Sequence, residues 1–192
     1  MNAPTEPRVW NARATQRAQR LARVAEELGP ALRGKRVASE QVVALLNAAL
    51  MPFDRVCLEG NNQKQADFLA RALVQVDVQR VHDLHMVQSV LALPEHLDVF
   101  ENGIASRLDF SFSGPQGARL AQLVAQDGVQ IGAIHTYLEL FARYFIDLTP
   151  RVSLVAAHSA DAAGNLYTGP NTEDTPAACA ATKAIFGVKS TK

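Results

Sequence analysis

The sequence predicts an α/β fold: a largely parallel sheet with flanking helices. Two observations carry that prediction. Short apolar runs alternate with segments of helical periodicity, and the junctions between them are rich in glycine, asparagine and proline. Composition agrees, since 192 residues with 48% hydrophobic and 20% charged side chains suit one globular α/β domain able to bury a core. No linker-like or low-complexity tract divides the chain, and no internal repeat is visible.

The first element is a basic helix. Residues 1–36 hold eight Lys and Arg against three acids, and the rest of the chain carries eleven against sixteen, so a net charge of zero conceals two halves of opposite sign. Arg13, Arg17, Arg20 and Arg23 fall on one side of this helix, while Leu21, Val24 and Leu28 supply another. The arginine stripe has two readings, a solvated basic face or a docking surface for an acidic partner. An Arg-rich, acid-poor opening also fits an organelle presequence. Residues 37–192 are expected to form the α/β lobe.

Ser39 is placed to cap a helix through "EQVVALLNAAL", ended by Pro52. A strand and helix rhythm follows. "RVCLE" precedes a helix from Gln63 to Val74, "VHDLHMV" precedes "EHLDVFENG", and "LDFSFSG" precedes "PQGARLAQLVAQDG". "VQIGAI" leads to "TYLELFARYFIDL", which Thr136 can cap, and a fifth apolar run, "VSLVAA", leads to "HSADAAGNLYTGP". Asp161, Gly164 and Asn165 make one reverse turn there, with Gly169, Pro170 and Asn171 close behind, a pattern that also reads as a hairpin between two short strands.

The junction at Gly60, Asn61 and Asn62 is the first candidate site. Glycine and asparagine tolerate tight turning, and a strand-to-helix turn points backbone donors outward from the carboxyl edge of a sheet, where open α/β folds hold ligands. Ser113 and Gly114 form a second such turn, Gly114 being suited to close approach of a ligand, and the turn at Asp161 to Asn165 is expected to share the same concave pocket. His135 directly follows a strand. In "HDLH" a strand sends His82 and His85 to opposite faces, which opposes a shared metal ion. Cys57 and Cys179 form neither a disulfide framework nor a metal pattern and read as reduced core thiols. Glycine fingerprints for dinucleotides or ATP are absent, as are a G-x-S-x-G elbow and an evident serine triad. No apolar run is long enough to span a bilayer, and the opening lacks the apolar centre of a secretory signal, so a cytoplasmic protein without membrane or nucleic-acid partners is expected.

The strings "RVCLEGNNQKQADFLARAL", "VHDLHMV", "LDFSFSGPQ", "IGAIHTYLELFARYFIDL" and "SADAAGNLYTGPNTEDTP" closely resemble the alpha subunit family of bacterial malonate decarboxylases. The likeness begins near "RVWNARATQRAQR" and runs to about Pro176, and the "D-x-x-G-N-L" turn also resembles the wider coenzyme A transferase group, a two-lobed α/β fold. The resemblance implies an acyl-carrier-protein transferase, a subunit of a multisubunit complex, that exchanges acetyl for malonyl on a carrier-protein thiol and releases acetate. Partner subunits then decarboxylate the malonyl thioester. The thiol would belong to a phosphoribosyl-dephospho-coenzyme A arm on the acyl carrier protein, with no cofactor bound tightly by the chain itself. By the same analogy Gly60, Asn61, Asn62, Ser113, Gly114 and Asn165 would bind substrate. Glu59 and His135 are the candidates for proton transfer, although Glu59 also reads as the last solvent-facing residue of its strand. Family members are longer, and "AACAATKAIFGVKSTK" does not look like their continuation into further strands. The expectation is therefore an amino-terminal lobe in truncated form, inactive alone, with exposed apolar residues near Ala177 to Phe186. A noncatalytic small-ligand or partner-binding module of the same fold is the alternative.

Overall fold

A computed structural model describes residues 9–59, 66–168, 174–182 and 184–189. β1 (Arg55–Leu58), β2 (Leu84–Val90), β3 (Ala105–Phe112), β4 (Gln130–Ile134), β5 (Val152–Ala157) and β8 (Ala184–Lys189) form one sheet in the order β4-β3-β2-β1-β5-β8. Every neighbouring pair in it is parallel. β6 (Ser159–Ala160) and β7 (Leu166–Tyr167) make the separate antiparallel hairpin that the turn residues between them foretell.

The chain starts the sheet at β1, adds β2, β3 and β4 outward on one side, then crosses back to lay β5 on the other side of β1. The strand order therefore reverses between β1 and β5, the kind of position at which open parallel sheets leave a crevice at their carboxyl edge. Helices cover both faces because the parallel crossovers carry them there. α2 (Val42–Ala49), α3 (Asp67–Leu73), α4 (Glu95–Glu101) and α5 (Gly117–Ala125) lie over one face, where Leu46, Leu69, Leu73, Leu97 and Leu120 pack with Val56, Leu58, Met86, Leu108 and Leu154 of the strands. α6 (Tyr137–Ile146) and α7 (Thr175–Ala181) lie over the opposite face, where Leu140, Tyr144, Ala177 and Ala178 pack on Cys57 and Val87. The period-two alternation of β1 explains the split: Val56 and Leu58 go one way, Arg55, Cys57 and Glu59 the other.

α1 (Val9–Leu28) packs on α2 through Val24, Leu28, Leu45, Ala48 and Ala49. Here the structure corrects the reading of the arginine stripe as one continuous surface. Arg20 is buried and holds both carboxylate oxygens of Asp54, at 2.6 and 2.9 Å, while also donating to Ala49 O. Arg23 donates to Ala48 O and, at 3.0 Å, to Leu50 O. These two guanidinium groups satisfy the last carbonyls of α2, where helix termini leave acceptors without partners. Arg17 remains exposed.

Two further expectations change. α7 and β8 show that the segment after Asp174 does continue the fold, with β8 pairing along β5 from Val152 opposite Ala184 to Ala157 opposite Lys189. Ala177, Ala178 and Ala181 are buried, not exposed, and the side chains of residues 183–186, for which exposure was also expected, lie outside the described residues. Ser39 opens a 3-10 turn ahead of α2 without a side-chain cap bond, whereas Thr136 does cap α6, its hydroxyl accepting from Glu139 N at 3.2 Å. Among the described residues no helix is long and apolar enough to cross a membrane.

Candidate functional site

Because the six strands are parallel, the residues that follow β1, β3 and β4 share the carboxyl edge of the sheet. Gly60, Asn61 and Asn62 lie outside the described residues; the chain on either side of them is joined by Ala66 N donating to Glu59 O at 3.3 Å.

Glu59 stands at the point where the strand order reverses. It is 2% exposed, which overturns its reading as a solvent-facing strand end. Its backbone N donates to Leu154 O at 3.0 Å, its Oε2 accepts from Ala156 N at 2.7 Å, and its Oε1 accepts from the Thr175 hydroxyl at the start of α7. The carboxylate thus ties β1 to β5 and to α7. Beneath it, Tyr144 OH donates to Asp174 Oδ2 at 3.0 Å and Cys57 Sγ lies 3.6 Å from the same hydroxyl. Burial pushes the Cys57 thiol well above its ordinary range, so it stays protonated and inert. Cys179 is partly exposed.

His135 is the other candidate that the structure places in a defined network. It is 3% exposed, and its Nε2 donates to Asp109 Oδ1 at 2.8 Å. The second oxygen of Asp109 accepts from His85 Nε2 at 2.6 Å. Arg55 Nε donates to His85 Nδ1 at 3.3 Å, which leaves Nε2 of His85 as its N–H atom. Burial alone would raise the Asp109 carboxyl, but the hydrogen bonds from His85 and His135 hold it down at about 2. His135 Nδ1 faces Glu139 Oε1 at 3.4 Å, and Glu139 is kept below its ordinary range chiefly by that imidazole. A buried carboxylate thus fixes one nitrogen of His135 and leaves the other toward α6. Such an imidazole can accept or give a proton.

The remaining candidates are less engaged with this face. Gly114 takes a φ of 54°, and a Cβ there would meet Leu91 O at 3.1 Å, so its missing side chain makes room for the chain leaving β2. Ser113 precedes it at the start of a short 3-10 turn. Asn165 spends its amide inside its own hairpin, with Nδ2 donating to Asp161 Oδ2 at 2.7 Å and N donating to Asp161 Oδ1 at 2.9 Å, while Lys35 Nζ donates to Ala163 O at 2.6 Å. His82 pairs with Asp83 and His85 with Asp109, and among the described residues no group of side chains is arranged to hold a metal ion. The sequence reading does not supply Asp109 as the partner of His135, nor His85 as the second imidazole on that carboxylate. The available signal was an aspartate inside the apolar run "LDFSF", a charge that burial obliges to find partners.

The chain is a parallel α/β domain with a buried carboxylate at its strand-order reversal, and comparison with known proteins places it further. The chain belongs to the malonate decarboxylase alpha subunit family, whose model, described as "malonate decarboxylase, alpha subunit, transporter", matches residues 9–189. It is 56% identical over 154 residues to the acetyl-S-ACP:malonate ACP transferase of Malonomonas rubra, covering 80% of this chain and 28% of that protein. A Pseudomonas malonate decarboxylase hetero-tetramer in complex with malonate contains a chain 47% identical, with a TM-score of 0.84 over 95% of this chain and 35% of that one. The malonate decarboxylase alpha subunit from Acinetobacter baumannii is 40% identical, with a TM-score of 0.85 over 94% of this chain and 35% of its own. The chain spans about a third of the length of these relatives.

Proposed function

We propose that this chain provides one lobe of an acetyl-S-ACP:malonate ACP transferase in the cytoplasm. It would exchange the acetyl group on a carrier-protein thiol for malonyl, with release of acetate, in a complex whose other subunits decarboxylate the product. The 56% identity to the Malonomonas rubra transferase across 80% of this chain carries the reading. Attack of a carboxylate on a thioester places negative charge on the carbonyl oxygen, which fixed donors at a sheet edge stabilise. Gly60, Asn61 and Asn62 are the proposed backbone and amide donors, with Ser113, Gly114 and Asn165 as further substrate-binding positions. Glu59 and His135 are the proposed proton-transfer groups, supported by their burial and hydrogen bonding. The thiol is proposed to sit on a phosphoribosyl-dephospho-coenzyme A arm, whose length lets the carrier protein dock outside a coenzyme A transferase-like site. Assembly with partner subunits is supported by the apolar face of α6, where Leu138, Phe141 and Phe145 are 82, 41 and 53% exposed.

The test is an exchange assay in which acetylated carrier protein and labelled malonate are mixed with this chain, alone and together with the remaining two-thirds of the Malonomonas rubra relative. Label is expected on the carrier thiol with the two parts combined. If the parts co-purify as a folded complex and transfer nothing, the reading fails and a noncatalytic binding module takes its place.

A further inference from the structure

The register of the sheet lines up four polar side chains that no relative's name explains. Cys57 pairs with Val87, Gln88 with Phe110 and Phe110 with Ile134. Extending these registers by one or two residues sets Glu59, Ser89, Ser111 and His135 side by side across β1, β2, β3 and β4. Alternation sends all four to the face covered by α6 and α7, since Cys57, Val87 and Asp109 on the same parity face that way. The two ends of the row are anchored, Glu59 by Ala156 and Thr175 and His135 through Nε2 by Asp109, while His135 Nδ1 has no hydrogen-bond partner among the described residues. The two middle members are not anchored. Ser89 is 1% exposed, Ser111 is half-buried with a buried hydroxyl oxygen, and neither Oγ has a hydrogen-bond partner among the described residues. Buried polar atoms in native proteins are almost always paired; Gln88, His96 Nε2 and His135 Nδ1 are exceptions too, but Ser89 and Ser111 are the two hydroxyls that stand side by side on this face, and that pair calls for an occupant.

Position and charge define that occupant. β2 ends at Val90 and β3 at Phe112, so both serines sit one residue inside the carboxyl edge. α7 starts over Glu59 and α6 starts two residues after His135, which leaves the serines between the two helix starts. Below Ser89 the face is apolar, with Val87 fully buried beside Cys57 and Leu140, and below Ser111 stands the Asp109 carboxylate. The carboxylates of Glu59 and Asp109 flank the spot and disfavour a free anionic acid there. An uncharged carbonyl oxygen accepts from hydroxyl donors without that repulsion.

We infer that Ser89 and Ser111 form an acyl subsite, donating hydrogen bonds to the carbonyl oxygen of a short acyl thioester that enters from the carboxyl edge. The choice of an acyl thioester rests on the function proposed above; the pair of donors rests on the sheet register and on the hydroxyls' lack of partners. No bond is made or broken by the serines themselves.

Titration of the full chain with S-acetylpantetheine, carbonyl-labelled with carbon-13 and followed by NMR, tests this. Ser89→Ala and Ser111→Ala should each weaken binding about tenfold, the effect of one lost donor. Neither should lower the melting temperature, because removing an unpartnered hydroxyl takes no hydrogen bond from the fold. Free malonate should not compete. Absence of thioester binding by the unsubstituted chain, unchanged affinity in the double variant, or a lowered melting temperature with affinity retained would each overturn the inference; the last would mean that the hydroxyls hold structural water. The exchange assay separates the two proposals. Normal exchange by a combined protein carrying both substitutions removes the subsite and leaves the transferase, whereas absent exchange with serine-dependent thioester binding removes the transferase and leaves the subsite.

Discussion

Gly132 and Asp109 interlock across β3 and β4: a Cβ on Gly132 would stand inside the van der Waals envelope of the Asp109 carboxylate. The register between the strands shifts at this point, Leu108 pairing with Ile131 but Asp109 with Ala133, so Gly132 is the extra residue of a bulge. The bulge opens the space in which one carboxylate reaches two imidazoles. Gly132→Ala should therefore cost about 1–3 kcal/mol, the usual penalty for overpacking a filled site. Urea denaturation measures it, and the ring signals of both His85 and His135 should shift in the same variant. Wild-type stability would show that the carboxylate does not need this opening.

The same carboxylate sets an acid limit on stability. Asp109 has an ordinary value of 3.8 and is held at about 2 in the folded chain, its histidine hydrogen bonds prevailing over burial. A carboxyl lowered by folding binds its proton more readily when unfolded. Its contribution is therefore fully present above about pH 4 and is lost as pH falls through about 2. Thermal melts between about pH 5 and 2 should show a steep acid limb, and Asp109→Asn should be less stable at neutral pH with a shallower limb. Parallel limbs in the two proteins would show that other carboxyls set the acid limit.

At the opposite edge, Arg20 and Asp54 form a pair buried on both sides, with side chains 5 and 9% exposed. Arg20→Ala leaves Asp54 charged and buried without its partner, and the expected loss is about 3–5 kcal/mol. Arg17→Glu, on an exposed position of the same helix, should change stability by no more than about 0.5 kcal/mol. Chemical denaturation of the two variants distinguishes a stripe that builds the fold from one that only decorates it. Equal effects would contradict the burial of Arg20.

Most of the architecture is readable from period and punctuation. Every strand from β1 to β5 coincides with an apolar run between turn residues, and the hairpin of β6 and β7 announces itself through Asp161, Gly164 and Asn165. Boundaries slip where one residue breaks a pattern: Asp83 takes a φ of 54°, so β2 starts at Leu84 although the apolar text begins at Val81. β8 was not legible because its run from Ala184 to Lys189 carries no alternation of apolar and polar residues. The candidate site was half legible. His135 and Glu59 could be named from their positions after strands, but their partners, Asp109 on β3 and Ala156 on β5, are set by strand order and register. Those are tertiary quantities, and local propensity does not encode them.

Glu59 offers the sharpest separation of fold from chemistry. One of its oxygens accepts from a backbone amide, Ala156 N, and the other from a hydroxyl that can itself reverse, Thr175 Oγ. Glutamine fits this arrangement: its carbonyl oxygen takes the Ala156 amide and its NH2 donates to Thr175. Glu59→Gln should then lose about 1 kcal/mol or less, the difference between a charged and a neutral hydrogen-bonded acceptor. Glu59→Ala removes both acceptors, leaves the part-buried Ala156 amide without this partner, and should cost about 1–3 kcal/mol. Neither change distinguishes a structural carboxylate from a reactive one by stability alone. Exchange in the combined assembly does, because glutamine keeps the hydrogen bonds but cannot take up a proton. If Glu59 transfers protons, Glu59→Gln should be as stable as this substitution allows and lower turnover by about a hundredfold or more, with the carrier-protein KM little changed. If it only ties β1 to β5 and α7, Glu59→Gln should exchange at close to the wild-type rate, and proton transfer would then rest on the imidazole of His135.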